Sequence, residues 1–461
     1  MLKYKTMEQK FPVPPLLKEI SGYFRDAGFS VYLVGGAVRD FFLKKKANDW
    51  DIATDAPPQE VTHLFRRTIP TGIEHGTVTI IYKNKHIECT TFRTESDYVD
   101  GRHPVAVSYT ATIEADLARR DFTMNAIAVS LPDGAIVDPF NGRADIRAGR
   151  IQTVGNPLDR FLEDGLRPVR AIRFAAQLDF TVDTGTLQAI PQTLHITKRI
   201  SIERFRDEFT KMLACPTPLT GLRLMENTGL LNLFIPELPE CRGVEQGSYH
   251  HFDVLDHSFL VCNACPAGME HIHIRLAGLF HDIGKPAVRK ETADGSCTFY
   301  RHEAVSEKMT RNIMRRLKYS NIEIEKTAHL VAEHMFHYDP SWTDAAVRRF
   351  IVRVGKENID DLFALRKADV FGLTGAYAES NFLVEFTARI DALLKEDGAY
   401  SLKDLAVNGK DLMSIGIPAG KCLGLVLHEL LETVLDDPAQ NTKKTLLPIA
   451  AAIYERLQRF Q

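Results

Sequence analysis

Between residues 33 and 55 the chain reads LVGGAVRDFFLKKKANDWDIATD, an apolar run broken by Gly35-Gly36 and followed by Arg39 and Asp49-Trp50-Asp51. In an extended strand successive side chains alternate faces, so Asp49 and Asp51 project to one side with Trp50 behind them. Two carboxylates so placed repel each other unless a cation lies between them. A hard divalent ion, Mg²⁺ above all, suits such a pair and retains positions for water and phosphate. Gly35 and Gly36, directly after a strand, let backbone N–H groups approach a phosphate closely. Arg39, one helical turn on, offers a charge-assisted fork to a triphosphate. Glycine turn, arginine and D-x-D, in that order within residues 35–51, fit phosphoryl or nucleotidyl transfer. Taken singly, each has a plainer reading: a tight turn, or a solvated strand end.

Those residues need elements to hold them. Leu16 to Ala27 reads as a helix closed by Gly28, and FSVYLVGG as a strand running into the glycine turn. TVTIIY (77–82) and HIECTTFR (86–93), joined by KNK, predict a β-hairpin. AIAVSL (126–131) predicts a further strand ended by PDG. Beyond about residue 155 strand signals stop, and helical patterns are punctuated by ACPTP (214–218) and YDPSW (338–342). The expected fold is α+β, an N-terminal mixed α/β head followed by all-α helical domains. Boundaries near 155, 245 and 380 divide it into 1–155, 156–244, 245–380 and 381–461.

A length of 461 residues sets a prior of about three domains. A composition 44% hydrophobic and 25% charged is that of a soluble globular chain. The first residues lack the apolar stretch of a signal peptide, and no apolar run approaches the roughly 20 residues that span a bilayer. No membrane partner is expected. Seven scattered cysteines indicate reduced thiols and a cytoplasmic location. Cys262 and Cys265 form a lone C-x-x-C in a helical run, which reads as buried thiols rather than a zinc site. A net charge of −3 excludes a nucleic-acid partner held by bulk charge alone. From Arg143 to Arg206, however, eleven Lys/Arg stand against seven Asp/Glu, a local basic band suited to phosphate contacts.

LVGGAVRD with DWDIAT resembles the head of the class II nucleotidyltransferases, the bacterial CCA-adding enzymes and poly(A) polymerases. The likeness continues through IECTTFRTESDYVDGRHP (87–104), ARRDFTMNAIAV (118–129), DPFNGRADI (138–146), RFLEDGLRPVRAIRFAAQL (160–178) and LAVNGKDLMSIGIPAGKCLG (405–424). The resemblance implies that Asp49 and Asp51 hold the catalytic Mg²⁺ and that Gly36, Arg39 and Arg120 line the nucleotide. It implies that Asp164 and Arg167 of EDGLR read the base edge, with Arg170 and Arg173 following along the same helix. CTP and ATP are the implied substrates and the tRNA 3′ end the implied partner, bound by a helical neck (156–244) and a C-terminal tail (381–461).

The chemistry of that pair is sound by itself. A carboxylate accepts from an exocyclic amino group, and arginine donates to a ring nitrogen or carbonyl. Cytosine and adenine present an amino donor beside an acceptor, whereas guanine and uracil reverse the pattern. The alternative is an ordinary i, i+3 ion pair. Two departures from the family pattern stand here: Gly165 replaces the usual proline, and Pro168 follows Arg167 where an aliphatic residue is usual. Proline is comfortable in the first helical turn and disruptive further in, so the helix is expected to begin late, near Pro168.

HHFDVLDHSF (250–259), LFHDIGKP (279–286), YRHEAVSEK (300–308), AEHMFHY (332–338) and RKADVFG (366–372) form an ordered His/Asp series. His257, His281-Asp282 and Asp369 resemble the metal ligands of the HD phosphohydrolase superfamily, and His302 and His334 match additional ligands of two-metal sites. The resemblance implies an HD-type domain over 245–380 holding Ni²⁺, Co²⁺ or Mn²⁺, since imidazoles and carboxylates suit first-row divalent metals. A shared water would become a nucleophile near neutral pH. Lys285 is placed to meet a phosphate. The plainer reading is a helical scaffold that keeps these residues without hydrolysis.

The leading expectation is template-independent addition of CCA to tRNA 3′ ends. Rivals are an A-adding or CC-adding specialist and a poly(A) polymerase; from another class comes an HD phosphohydrolase with an RNA-binding head. ESDYVDGRHP, filling the loop between Arg93 and Arg119, favours the full enzyme. The sequence leaves the oligomeric state open.

Overall fold

The glycine turn and the D-x-D lie on neighbouring strands of one mixed sheet, in a computed structural model that describes residues 10–46, 49–72, 76–98, 104–247, 251–293, 297–375, 381–395 and 399–459. For 94–98, 104–108 and 381 only the backbone is described. Most of the ESDYVDGRHP loop and His250 therefore lie outside the described residues or side chains. The chain divides into two compact units, one of residues 1–239 with 267–269 and 316–318, the other of 240–266, 270–315 and 319–461.

The first unit opens with α1 (Pro15–Asp26), β1 (Val31–Val34), α2 (Gly36–Phe42), β2 (Trp50–Thr54), α3 (Pro58–Leu64), β3 (Thr68–Gly72), β4 (Thr77–Tyr82) and β5 (Lys85–Thr91). There follow β6 (Arg93–Tyr98), β7 (Pro104–Tyr109), α4 (Ile113–Ala118), β8 (Ala128–Ser130), β9 (Ile136–Val137) and α5 (Gly142–Ala148). Seven strands form the sheet in the order β3-β4-β5-β2-β1-β8-β9. Only β2 and β5 run parallel; β1 is antiparallel to both β2 and β8. The predicted hairpin is β4–β5, closed by Lys83 and Asn84 at φ 48° and 60°. Two positive φ angles in a two-residue loop give the turn whose twist matches the flanking strands. Alternation buries Val34 and Ala53 against Phe92, Leu117 and Ala128 on one sheet face, and Leu33, Ile52, Ile87 and Cys89 on the other.

Helices then take over, as expected: β10 (Arg150–Ile151), α6 (Pro157–Glu163), α7 (Arg167–Leu178), β11 (Thr181–Val182), α8 (Thr184–Gln192), α9 (Leu194–Thr197), α10 (Ile202–Leu213), α11 (Leu219–Asn227) and α12 (Leu230–Phe234). α7 begins at Arg167 with Pro168 in its first turn, where its missing N–H has no intrahelical partner to lose.

The second unit is α13 (Val254–Ala264), α14 (Ile272–Phe280), α15 (Lys285–Val288), the short pair β12 (Lys290–Glu291) and β13 (Cys297–Thr298), α16 (His302–Arg316), α17 (Asn321–Glu333), α18 (Asp344–Val354) and α19 (Ile359–Thr374), then α20 (Asn381–Lys395), α21 (Gly409–Ser414), α22 (Lys421–Asp436) and α23 (Lys443–Gln458). It holds two cores. One joins Val261, Ala277, Val331, Phe350 and Phe363, and α20 adds Phe386 to it. The other runs from Ala399 through Leu412 and Leu430 to Ile453. Cys262 and Cys265 are buried free thiols in and just after α13, the former pushed up to about 12 by burial. Among the described residues no helix is long and apolar enough to cross a membrane.

Candidate active site

β1 delivers the chain to Gly35, which caps α2 at φ +73°. A Cβ there would sit 3.4 Å from both Arg120 Nη1 and Asp51 Oδ2. Gly35 is thus the glycine that the site requires, for its left-handed backbone and for close approach. A Cβ on Gly36 would face only Arg39 Nη2, at 3.6 Å.

The strand register explains the rest. Val34 pairs with Asp51 across β1–β2, and Asp51 pairs with Glu88 across the parallel β2–β5 ladder. Paired residues of neighbouring strands share a face, so Glu88 joins the acidic set. Asp49 stands one residue before β2 and is exposed. Burial raises the Asp51 carboxyl, Glu88 raises it further, Arg120 opposes them and Asp49 adds a little. A carboxyl raised by burial and by carboxylate neighbours fits a site that gains a cation. The three are not drawn into a single ligand-distance group in this structure; the described groups that are lie in the second unit.

A cavity of about 340 Å³ opens in front of Asp51, lined also by Glu88, Arg120, Asp164, Arg167 and Arg204. Two carboxylates, one buried and one half-buried, aim its arginines. Asp116, fully buried, accepts from Arg119 Nε at 2.9 Å and Arg120 Nη2 at 3.3 Å. Asp121 accepts from Arg170 Nε at 2.8 Å, Phe122 N at 2.8 Å and Asn125 Nδ2 at 3.0 Å. Burial opposes ionisation of Asp121, but Arg170 and Asn125 outweigh it and hold the carboxyl at about 2.

Arg39 and Arg173 lie outside the lining set. Arg39 is buried and donates to Asn125 Oδ1 at 2.9 Å and Asp40 Oδ1 at 2.8 Å. Arg173 donates to Glu208 Oε2 at 2.6 Å and packs over the Phe174 ring. Arg39, Asn125, Asp121 and Arg170 form one continuous hydrogen-bonded chain. Asp164 and Arg167 both reach the cavity, but each is held by another residue. Asp164 Oδ1 accepts from Leu166 N at 3.0 Å and Oδ2 from Arg204 Nη2 at 2.9 Å. Arg167 donates to Arg160 O at 3.0 Å, Glu163 Oε2 at 2.6 Å and Arg119 O at 3.0 Å. Glu88, Asp116, Asp121 and Arg204 were not singled out in the sequence. The period-two pattern of HIECTTFR puts Glu88 and its neighbours at 86 and 90 on one face, a signal that could have found it.

In the second unit the whole predicted His/Asp series converges. His257 Nε2 lies 3.1 Å from His281 Nε2 and 3.1 Å from Asp369 Oδ1. Asp282 is central: Oδ2 is 3.2 Å from His281 Nε2, and Oδ1 is 3.1 Å from His302 Nε2 and 3.8 Å from His334 Nε2. Two groups that could hold an ion result, His257–His281–Asp282 and Asp282–His302–His334. Local structure aims the rings. Nδ1 of His281, His302 and His334 sits 2.9, 2.9 and 2.7 Å from the carbonyl three residues earlier. Donation there leaves each Nε2 lone pair facing the cluster, the arrangement of a metal-ligating imidazole. Asp282 Oδ1 is buried and accepts no hydrogen bond by strict geometry. Burial opposes charge on His281, yet Asp282 and Asp369 push it up to about 10, while burial and His281 push His334 down to about 3. This charge distribution suits a cation in place of the proton. Lys285 Nζ lies 2.6 Å from Asp282 Oδ2, at the edge of a cavity of about 560 Å³ that Arg366 and Tyr300 also line. His273 lies apart, paired with Asp361 at 2.6 Å.

A mixed-sheet head with a strand–glycine–helix turn, a paired-carboxylate strand and an arginine-lined cavity defines a nucleotidyltransferase. Comparison with known families agrees: residues 31–152 match the poly(A) polymerase head domain, 179–241 the RNA- and SrmB-binding site described for polymerase A, and 296–450 domain 2 of tRNA nucleotidyltransferases. The chain is 34% identical over 432 residues to a CCA-adding enzyme of Lactobacillus johnsonii, covering 94% of each chain. It is 33% identical over 452 residues to that of Enterococcus faecalis, covering 97% of this chain and 98% of the other. The crystal structure of the Bacillus stearothermophilus CCA-adding enzyme in complex with CTP superposes with a TM-score of 0.71 at 30% identity, covering 97% and 99% of the two chains. The chain belongs to the CCA-adding enzyme family.

Proposed function

We propose that this chain adds C, C and A to tRNA 3′ ends, using CTP and ATP and releasing pyrophosphate. The observation that carries the reading is one cavity that joins Asp51 and Arg120 of the head to Asp164 and Arg167 of the helical part. Asp49, Asp51 and Glu88 are the groups that would hold Mg²⁺, which when bound activates the attacking hydroxyl and stabilises the leaving pyrophosphate. Arg120, aimed by Asp116, meets the triphosphate beside Gly35 and Gly36. The Asp164 carboxylate accepts the exocyclic amino group shared by cytosine and adenine. Arg167 donates from the guanidinium edge left open by its three backbone and Glu163 contacts. Arg170 lines the cavity beside them, and Arg39 and Arg173 support that wall from behind.

The domain plan that goes with this function is a catalytic head (1–155), a base-reading and RNA-binding neck (156–244), an HD-type metal domain (245–380) and a tRNA-binding tail (381–461), acting in the cytoplasm. The decisive experiment incubates the protein with tRNA transcripts ending at the discriminator base, after the first C and after CC, each with one labelled NTP. Stepwise C, C, A incorporation supports the full enzyme; A alone or C alone identifies a specialist, and a long A tail a poly(A) polymerase.

A second reading concerns the second unit, carried by the three Nε2 atoms aimed at Asp282. His257, His281, Asp282, His302, His334 and Asp369 would hold Ni²⁺, Co²⁺ or Mn²⁺, which when bound lowers the pKa of a water for phosphoester hydrolysis. Lys285 meets the phosphate.

A further inference from the structure

Arg366 stands one turn before Asp369 on α19 and lines the cavity of about 560 Å³ that His281, Asp282, His302, His334 and Asp369 also line. Its Nη1 donates to Asp369 Oδ2 at 2.9 Å, while Asp369 Oδ1 faces His257 Nε2 at 3.1 Å. The two oxygens of one carboxylate thus serve the arginine and the imidazole cluster separately. An i, i+3 ion pair of this kind uses a single N–H of the guanidinium. Among the described residues nothing accepts from Nη2, and the side chain keeps 28% of its surface accessible. The group is anchored at one corner, with donors left over.

The other cations of the cavity offer less. Lys285 Nζ carries three N–H groups, and Asp282 Oδ2 and Gln246 Oε1, each at 2.6 Å, take two of them. One point contact remains. Arg301 lines the cavity too, but it is exposed and no described carboxylate holds it. A ligand would have to order that long side chain, at a cost in rotamer freedom that Arg366 has already met through Asp369.

We propose that Arg366 is a substrate-binding residue of the His/Asp site: its unused N–H groups take oxygens of a phosphoryl group, and Lys285 adds one contact. The proposal rests on the reading that the cluster holds a divalent metal and receives a phosphoester. A planar guanidinium matches two phosphate oxygens as a fork, which an ammonium does not. Because Asp369 is both the anchor of Arg366 and a ligand of the cluster, the fork is tied to the position of the metal site.

The test uses the full chain loaded with Mn²⁺ and follows orthophosphate binding by calorimetry, beside a titration of the metal alone. Arg366→Gln should weaken orthophosphate roughly 10- to 150-fold, the span of hydrogen bonds to a charged group, with metal affinity little changed. Arg366→Lys keeps a cation near Asp369 without the fork and should recover only part of the loss. Arg301→Gln should weaken orthophosphate by a smaller factor than Arg366→Gln. Thermal unfolding checks that each variant is folded. Unchanged orthophosphate affinity in Arg366→Gln at saturating Mn²⁺ overturns the proposal alone. So does loss of metal binding in both Arg366 variants, which would make the arginine a support for Asp369 only, or a larger effect from Arg301→Gln. A native chain that takes up no Mn²⁺ defeats the metal reading, and the proposal falls with it.

Discussion

Asp164 and Arg167, three positions apart, pair not with each other but with Arg204 and Glu163. The reason is local. Asp164 caps the end of α6 while Arg167 opens α7, with Gly165 and Leu166 turning the chain between them, so the i, i+3 geometry of a single helix never arises. Two side chains that could have neutralised each other are instead fixed separately along one cavity wall. Asp164→Ala should therefore relax rejection of UTP and GTP by roughly 5- to 150-fold, the worth of one buried polar contact. Turnover with CTP should fall by a smaller factor. Single-nucleotide incorporation of CTP and UTP on tRNA ending in the first C, and of ATP and GTP on tRNA ending in CC, measures both; unchanged UTP rejection with activity retained would place base reading elsewhere.

The carboxylates of β2 face a simpler test. Asp51 shares a face with Glu88 and carries a raised pKa from burial and its acidic neighbours. Asp49→Ala or Asp51→Ala should abolish incorporation of C and of A together, since one site serves every step. Loss of one nucleotide with the other near its normal rate would require two separate active sites.

Asp121 offers a pH signature. Its carboxyl is held at about 2 against an ordinary 3.8, so it contributes stability that is full above about pH 4 and disappears as pH falls through 2. The contribution is at most about 2 kcal/mol by linkage. Urea unfolding of the native chain and Asp121→Asn should differ most near pH 5 and converge towards pH 2. A difference that stays constant over that range would mean that the Arg170 contact is electrostatically silent.

How much of this was readable in advance divides along contact range. The Gly35 turn, the β4–β5 hairpin and the late start of α7 follow from turn chemistry, alternation and proline geometry, all properties of a few adjacent residues. The six His/Asp residues were legible because they recur in an ordered series, and the fold brings all of them together. Glu88, Asp116 and Arg204 were not, because sheet register, a fully buried carboxylate and helix packing bring them to the cavity. The internal roles of Arg39 and Arg173 were hidden for the same reason: an arginine's type says it can bind phosphate, while only packing shows that Asn125 and Glu208 already occupy it.

The His/Asp cluster of the second unit predicts a separable activity. The purified chain should bind Mn²⁺, Co²⁺ or Ni²⁺ in a titration followed by calorimetry and hydrolyse a 2′,3′-cyclic phosphate when loaded. His281→Ala should weaken metal binding strongly and remove hydrolysis, with nucleotide addition largely kept, because the two cavities share no residue. If the native chain takes up no divalent ion that His281→Ala loses, the cluster is a retained helical scaffold.

Gly165 and Pro168, the two departures from the family pattern, should behave oppositely. A Cβ at position 165 would stand 2.8 Å from Ile196 O and 3.0 Å from Thr197 Cα. Those are backbone atoms, which cannot swing aside as a side chain would, so Gly165→Ala must displace α9 or the turn carrying Asp164. Overpacking of this kind costs about 1–3 kcal/mol. The glycine here is required by space rather than by backbone angle. Pro168 sits buried in the first turn of α7, where a backbone N–H is not needed, so the apolar exchange Pro168→Leu should change thermal stability little and preserve base selectivity. Thermal denaturation of both variants, paired with C-over-U discrimination, checks the contrast. A Gly165→Ala chain as stable and as selective as the native one would show that α9 yields freely, and the close approach of Ile196 would then have no part in holding the base-reading turn.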